Sequence, residues 1–275
     1  MLLTVFLFVS MDTVAKYLTQ HYPVPQVVWA RFSFHGLILV VYLGSRFHLL
    51  GHTRHLGLQI TRATLLLSTT VFFFNGLYWL PLAAASAILL TGPLFTTALS
   101  MPLLGEPVGP RRWVGVLVGF IGALIIIRPG SGVMQWAALL PLGAAFCYAL
   151  YQITTRKLAH YDPPLTTLLY SVSVGIPATT LVLPFYWIWP SPFHWGAMLG
   201  MGALGTISHF CLIKAMESAP AAVVAPFSYS NMLWATLLGF VVFGEFPDGW
   251  TLAGAGVLIV SGLYVFHREQ VRRKT

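Results

Sequence analysis

Charge is scarce in this sequence. Asp, Glu, Lys and Arg make up 8% of its 275 residues, against about 25% in a soluble domain. The seven acidic residues are scattered, and none forms a DDxxD motif that would hold a metal. No G-x-S-x-G turn and no H-E-x-x-H helix occurs either, which leaves catalysis without its usual signatures. An intramembrane enzyme is therefore the weak alternative. The two cysteines, Cys147 and Cys211, sit in separate apolar stretches. They have neither metal-ligand spacing nor a redox motif and read as core thiols. No cofactor and no metal are expected.

What the chain has in excess is apolar surface: 57% of its residues are hydrophobic and the mean hydropathy is +0.79. Such a chain could not cover its own surface in water, so its solvent is a bilayer. Stretches of about 17–25 apolar residues are candidate membrane helices. Ten are present, at 2–19, 26–43, 62–80, 84–104, 112–128, 135–157, 164–187, 195–215, 220–243 and 249–267. Pro23, Pro81, Pro107, Pro129, Pro163, Pro190 and Pro220 fall at or near the cuts, where proline ends helices. The first stretch lacks a basic leader and carries Asp12 and Lys16 in its second half, unlike a cleaved signal.

The net charge of +8 would point to nucleic acid in a soluble protein, but here its distribution among loops matters more, and no nucleic-acid partner is expected. With the N-terminus placed in the cytoplasm, twelve cations fall inside: Arg46, Arg54, Arg62, Arg111, Arg112, Arg156, Lys157, Lys214, Arg268, Arg272, Arg273 and Lys274. Arg128 alone falls outside, while Lys16 and Arg31 lie within spans. This positive-inside bias predicts that both termini are cytoplasmic.

The chain also repeats itself at an offset of 139 positions. His21-Tyr22-Pro23 recurs as His160-Tyr161-Asp162, Pro81 as Pro220, Gly105-Glu106 as Gly244-Glu245, and Gly115 as Gly254. Halves of this length imply a duplicated domain, 1–134 and 135–275. Five spans per half is an odd number, so the second half enters from the opposite side. Inverted repeats of this kind supply alternating access in secondary transporters.

Two five-helix halves, each with a G-E-x turn followed by a Gly-rich helix, resemble the EamA repeats of the drug/metabolite transporter superfamily. The matching stretches are Leu103-Leu104-Gly105-Glu106-Pro107 with Gly115 to Gly122, and Val242-Phe243-Gly244-Glu245-Phe246 with Gly254 to Gly262. The resemblance covers nearly the whole chain and implies an all-α membrane protein of ten helices. The abundance of Trp, Tyr and Phe looks most like the YddG-type branch. That likeness implies export of aromatic amino acids across a bacterial inner membrane; a monomer is the expected state. Organic cations, held by cation–π contacts, are the alternative cargo.

Ionisable and amide groups inside apolar spans are costly and default to functional candidates. Asp12 and Lys16 are spaced to pair on one helical face, with Arg31 either capping that pair or reaching the outer interface. Asn75 needs a partner in hydrocarbon, from a neighbouring helix or a substrate; Tyr78 and Trp79 lie beside it, and Trp79 also suits an aromatic belt. Lys214 and Glu217 can pair at the cytoplasmic end of the eighth span as a structural or gating contact. His209 sits near mid-membrane, and a buried hydrogen-bonded histidine is the plain alternative to a proton carrier. The ninth span is polar at its middle, with Tyr229, Asn231 and Trp234, and it shares a proline with the fourth. Proline interruptions at matching places in both halves are a pointer to a binding site. Tyr148 and Gln152 on the sixth span offer a similar cluster. An amino acid would stack its ring on these aromatics and set its polar head against Asn and Ser. His48, His52 and His55 fit an amphipathic helix on the inner leaflet.

Overall fold

In the computed structural model, residues 1–44, 53–104, 109–128, 134–158, 161–218 and 225–274 are described, and among them no strand occurs. Among the described residues eleven α-helices follow one another: α1 (Leu2–Thr19), α2 (Val24–Leu43), α3 (Leu56–Trp79), α4 (Leu82–Leu89), α5 (Gly92–Leu104), α6 (Pro110–Ile127), α7 (Met134–Leu158), α8 (Pro164–Val182), α9 (Pro192–Ser218), α10 (Ser230–Phe243) and α11 (Gly249–Lys274). Among the described residues seven stretches are long and apolar enough to cross a membrane, and two shorter apolar ones, Trp113–Ile127 and Phe227–Phe243, accompany them. Pro25, Pro110 and Pro164 occupy first turns, where the missing N–H has no intrahelical partner to lose.

The expected fourth span is interrupted, dividing into α4 and α5 around Leu90 and Thr91. Pro93 has no N–H for the Leu89 carbonyl. Thr91, fully buried, turns its hydroxyl back to the carbonyl of Ile88 at 2.8 Å. The ninth span shows the matching irregularity, a 3₁₀ turn at Ala225–Tyr229 ahead of α10. The third span starts earlier than its apolar run implied, at Leu56, which places Arg62 inside the bundle and not in a loop. Arg62 is 1% exposed.

Helix α1 lies in the middle, against α9 and α10, while α3 packs along α7 and α6 along α11. The last pair approaches unusually closely. A Cβ on Gly122 would stand 2.9 Å from the Gly254 carbonyl oxygen, and one on Gly254 would stand 2.6 Å from that of Gly122. Glycine on both sides is what lets these backbones meet. Gly202 likewise receives Phe34, whereas Gly196 and Gly200 face open space.

Candidate functional site

One face of α1 sets the axis of the site. Met1, Val5, Phe8 and Asp12 recur at helical spacing and line a central cavity of about 320 Å³, near the lower end of small-molecule sites at about 300–1,000 Å³. The interrupted segments supply Ser86 and Leu90 on one side and Ser228, Tyr229 and Asn231 on another. Helix α7 adds Tyr148, Gln152 and Arg156 along one face, and α3 adds Phe73 and Phe74. The wall is mostly apolar, with polar groups at few places.

Arg31 and Asp12 bring opposite charges to the cavity wall. Arg31 is 4% exposed. One terminal nitrogen donates to the Thr70 hydroxyl, the other to Nε2 of His209 at 3.3 Å, and Nε has no partner. The guanidinium also lies over Phe32, 4.9 Å from the ring centre. Arg31 is thus neither a cap on an Asp12–Lys16 pair nor at the interface: burial and two bonds fix it in the wall. Because arginine can only donate, His209 accepts at Nε2 and carries its proton on Nδ1. Its ring stacks on His35 at 6.0 Å. Asp12 interacts electrostatically with Arg31 and makes no hydrogen bond or ion pair among the described residues.

Lys16 does not pair with Asp12. One turn beyond the cavity, its ammonium donates to Glu245 at 2.5 and 2.8 Å and to the Leu80 carbonyl at 3.0 Å. Glu245 accepts in turn from the Leu82 amide at 3.3 Å. Three segments meet there: α1, the α3–α4 corner and the turn after α10. At the same end Tyr22 and Ser191 hydroxyls both lie within 2.9 Å of Nδ1 of His194. Arg128 pairs with Asp248, whose carboxyl is held down to about 2 by hydrogen bonds from Thr251 and then from Arg128. This end is shut. The opposite end, where Met1, Arg156 and Phe266 line the cavity, carries both chain termini.

Of the residues singled out in the sequence, the structure brings Asp12, Arg31, Tyr148, Gln152, His209, Tyr229 and Asn231 to one cavity. Tyr229 rests its hydroxyl where a Cβ on Gly262 would be. Asn75, Tyr78, Trp79 and Trp234 are not among its lining residues. Asn75 donates to the Val71 carbonyl of its own helix at 2.7 Å, which answers its need for a partner internally. Tyr78 and Trp79 are half exposed, and Trp79 stacks edge-on with Trp136 at 5.1 Å. Trp234 packs against Phe6 at 5.1 Å. Lys214 is exposed on α9. The side chain of Glu217, like His48 and His52, lies outside the described residues, while His55 packs on Tyr161 at 4.2 Å.

Three groups were not picked out in the sequence. Glu245 stood in the repeated G-E-x turn without a role. Ser86 is fully buried with a partnerless hydroxyl. Arg62 donates to Thr155, to Ser171, to the Thr167 carbonyl and to the Tyr151 hydroxyl, at 2.7–3.1 Å. Tyr151 then stacks on the cavity residue Tyr148 at 5.8 Å.

Known proteins resemble the chain over almost its full length. The profile of the EamA-like transporter family matches residues 1–128 and again residues 135–267. The riboflavin transporter of Vibrio cholerae is 31% identical over 269 residues, covering 95% of this chain and 90% of its own. The S-adenosylmethionine uptake transporter of Rickettsia prowazekii is 29% identical over 262 residues, 94% of this chain and 88% of its own. The pseudopaline exporter CntI of Pseudomonas aeruginosa is 26% identical over 271 residues, 96% and 93% of the two chains. A crystal structure of a protein at 20% identity superposes with a TM-score of 0.68 over 99% of both chains, a likeness of fold.

Proposed function

The chain belongs to the EamA-like transporter family, and on that premise we propose that it is a secondary transporter for a small polar metabolite, working by alternating access across a bacterial inner membrane. The observation that carries this reading is the central cavity, closed at the Lys16–Glu245 end and lined at the other by Met1, Arg156 and Phe266. In this reading the chain crosses the bilayer ten times in two inverted halves, 1–134 and 135–275, with cytoplasmic termini. Support comes from the packing: under the 139-residue offset α1, α2 and α3 correspond to α7, α8 and α9. The pairs α1 with α9 and α2 with α9 then exchange into α7 with α3 and α8 with α3, all of which are in contact, while α6 and α11 meet each other.

Amino acids with aromatic side chains are the first candidate cargo. Phe8, Phe73, Phe74 and Tyr148 offer rings, and the cavity suits a molecule of that size. The relatives favour a second reading, in which the cargo is a metabolite such as riboflavin or S-adenosylmethionine, and they leave the direction open because they include both uptake proteins and an exporter. Protein reconstituted into liposomes should equilibrate at least one member of a panel of labelled amino acids, riboflavin and S-adenosylmethionine faster than empty liposomes do. Rates equal to those of empty liposomes across the panel would sink the proposal.

A further inference from the structure

Three buried polar atoms without partners sit on the cavity wall. Arg31 Nε, Ser86 Oγ and Asn231 Oδ1 are buried and unpaired, and all three residues line it. The Asp12 carboxyl, on the same wall, makes no hydrogen bond or ion pair among the described residues. Buried polar groups are ordinarily satisfied, and a charge in hydrocarbon without a close partner is costly and marks a functional candidate. The buried cations Arg62 and Lys16 are matched: Arg62 has four acceptors, and Lys16 has a carboxylate and a carbonyl. Ser33, His35, Gln59 and Trp234 also carry unpartnered atoms away from the cavity, so what distinguishes the wall is unmet capacity gathered beside a carboxyl. It is also of both signs: an acceptor on α1, a donor on α2, and a hydroxyl and an amide oxygen from the two interrupted segments.

We propose that Asp12 and Arg31 form a head-group clamp for a ligand that is neutral overall and carries an N–H or ammonium donor beside a carboxylate or carbonyl acceptor. The α-amino acid head is its smallest form. Asp12 takes the donor, Arg31 Nε takes the acceptor, and Ser86 and Asn231 complete the shell. Phe8, Phe73, Phe74 and Tyr148 receive the apolar body. The clamp excludes simple organic cations and simple anions equally, because each would leave one buried charge unmatched. This inference rests on the transport reading and narrows its cargo.

The test changes the ligand first and the protein second. Tryptophan, its methyl ester (no carboxylate) and N-acetyltryptophan (no ammonium) are titrated into purified protein in detergent by calorimetry. The intact zwitterion is expected to bind about tenfold or more tightly than either derivative, the penalty of a site built for a polar group that is missing. Asp12→Asn should erase the penalty on the N-acetyl compound and keep that on the ester, and Arg31→Gln should do the reverse. Equal binding of the three compounds by the wild type overturns the clamp, as does either variant altering both penalties alike. The wild-type comparison stands even where a variant fails to fold. Riboflavin and S-adenosylmethionine uptake, measured on the same protein in liposomes, separates the two failures. Uptake without zwitterion preference sinks the clamp alone, and absence of all uptake sinks the transport reading.

Discussion

Arg62 shows what a buried cation needs when no acid is at hand. Its fork reaches four oxygens across α7 and α8, which a planar five-donor group can do and an ammonium cannot. Arg62→Met should lower the thermal midpoint in detergent by about 5–10 °C, from ~0.6 kcal/mol for each of four bonds at ~2–4 °C per kcal/mol. Arg62→Lys should not restore it; an unchanged midpoint in Arg62→Met would show the network to be idle. Residues of this kind are only partly legible in sequence. Asp12, Arg31 and His209 stand out because polar groups interrupt apolar runs. Arg62 stands where such a run begins, and a cation there reads as loop. Ser86 is inconspicuous because a small hydroxyl can satisfy itself within its own helix. The spacing of Asp12 and Lys16 reported only a possible neighbour on one helix, whereas the true partner of Lys16 is 229 positions away.

Breaks are the informative feature among the helices. Prolines at corresponding places mark both interrupted segments in the sequence, and those segments do deliver Ser86 and Asn231 to the cavity. What periodicity could not reveal is which end of the bundle is shut, since that depends on contacts between α1, the α3–α4 corner and the turn after α10. The Lys16–Glu245 bond joins all three. Alternating access requires that it break, so Glu245→Gln should bias the bundle toward opening at that end. The readout is a thiol at a cavity position, Leu90→Cys, with Cys147→Ser and Cys211→Ser removing the native ones. A membrane-impermeant reagent applied from the Glu245 side should label it several-fold faster in the Glu245→Gln background. An unchanged rate would reduce the Lys16–Glu245 contact to packing.

At the scale of the whole molecule, the all-helical class and the family were readable from hydropathy and repetition. The cation bias predicts that, in intact cells, an external reagent labels Asp248→Cys and spares Arg54→Cys; the opposite pattern would invert the protein. Coupling can be argued further from geometry. A proton-driven carrier needs a group that binds and releases protons as the cavity changes sides. His209 is the lining histidine, but its Nε2 is occupied by a donor that never gives up its charge, Arg31, and its ring stacks on His35. A proton added to Nε2 would break that bond and place a second positive charge beside the guanidinium. Asp12, the lining carboxyl, is committed to the ligand in the clamp proposed above. Transport should therefore follow the substrate gradient. In proteoliposomes an imposed pH gradient should change the initial rate less than about twofold, within ~0.4 kcal/mol, and should drive no accumulation. Uphill accumulation that disappears in His209→Ala or Asp12→Asn would refute this and identify the proton-carrying group.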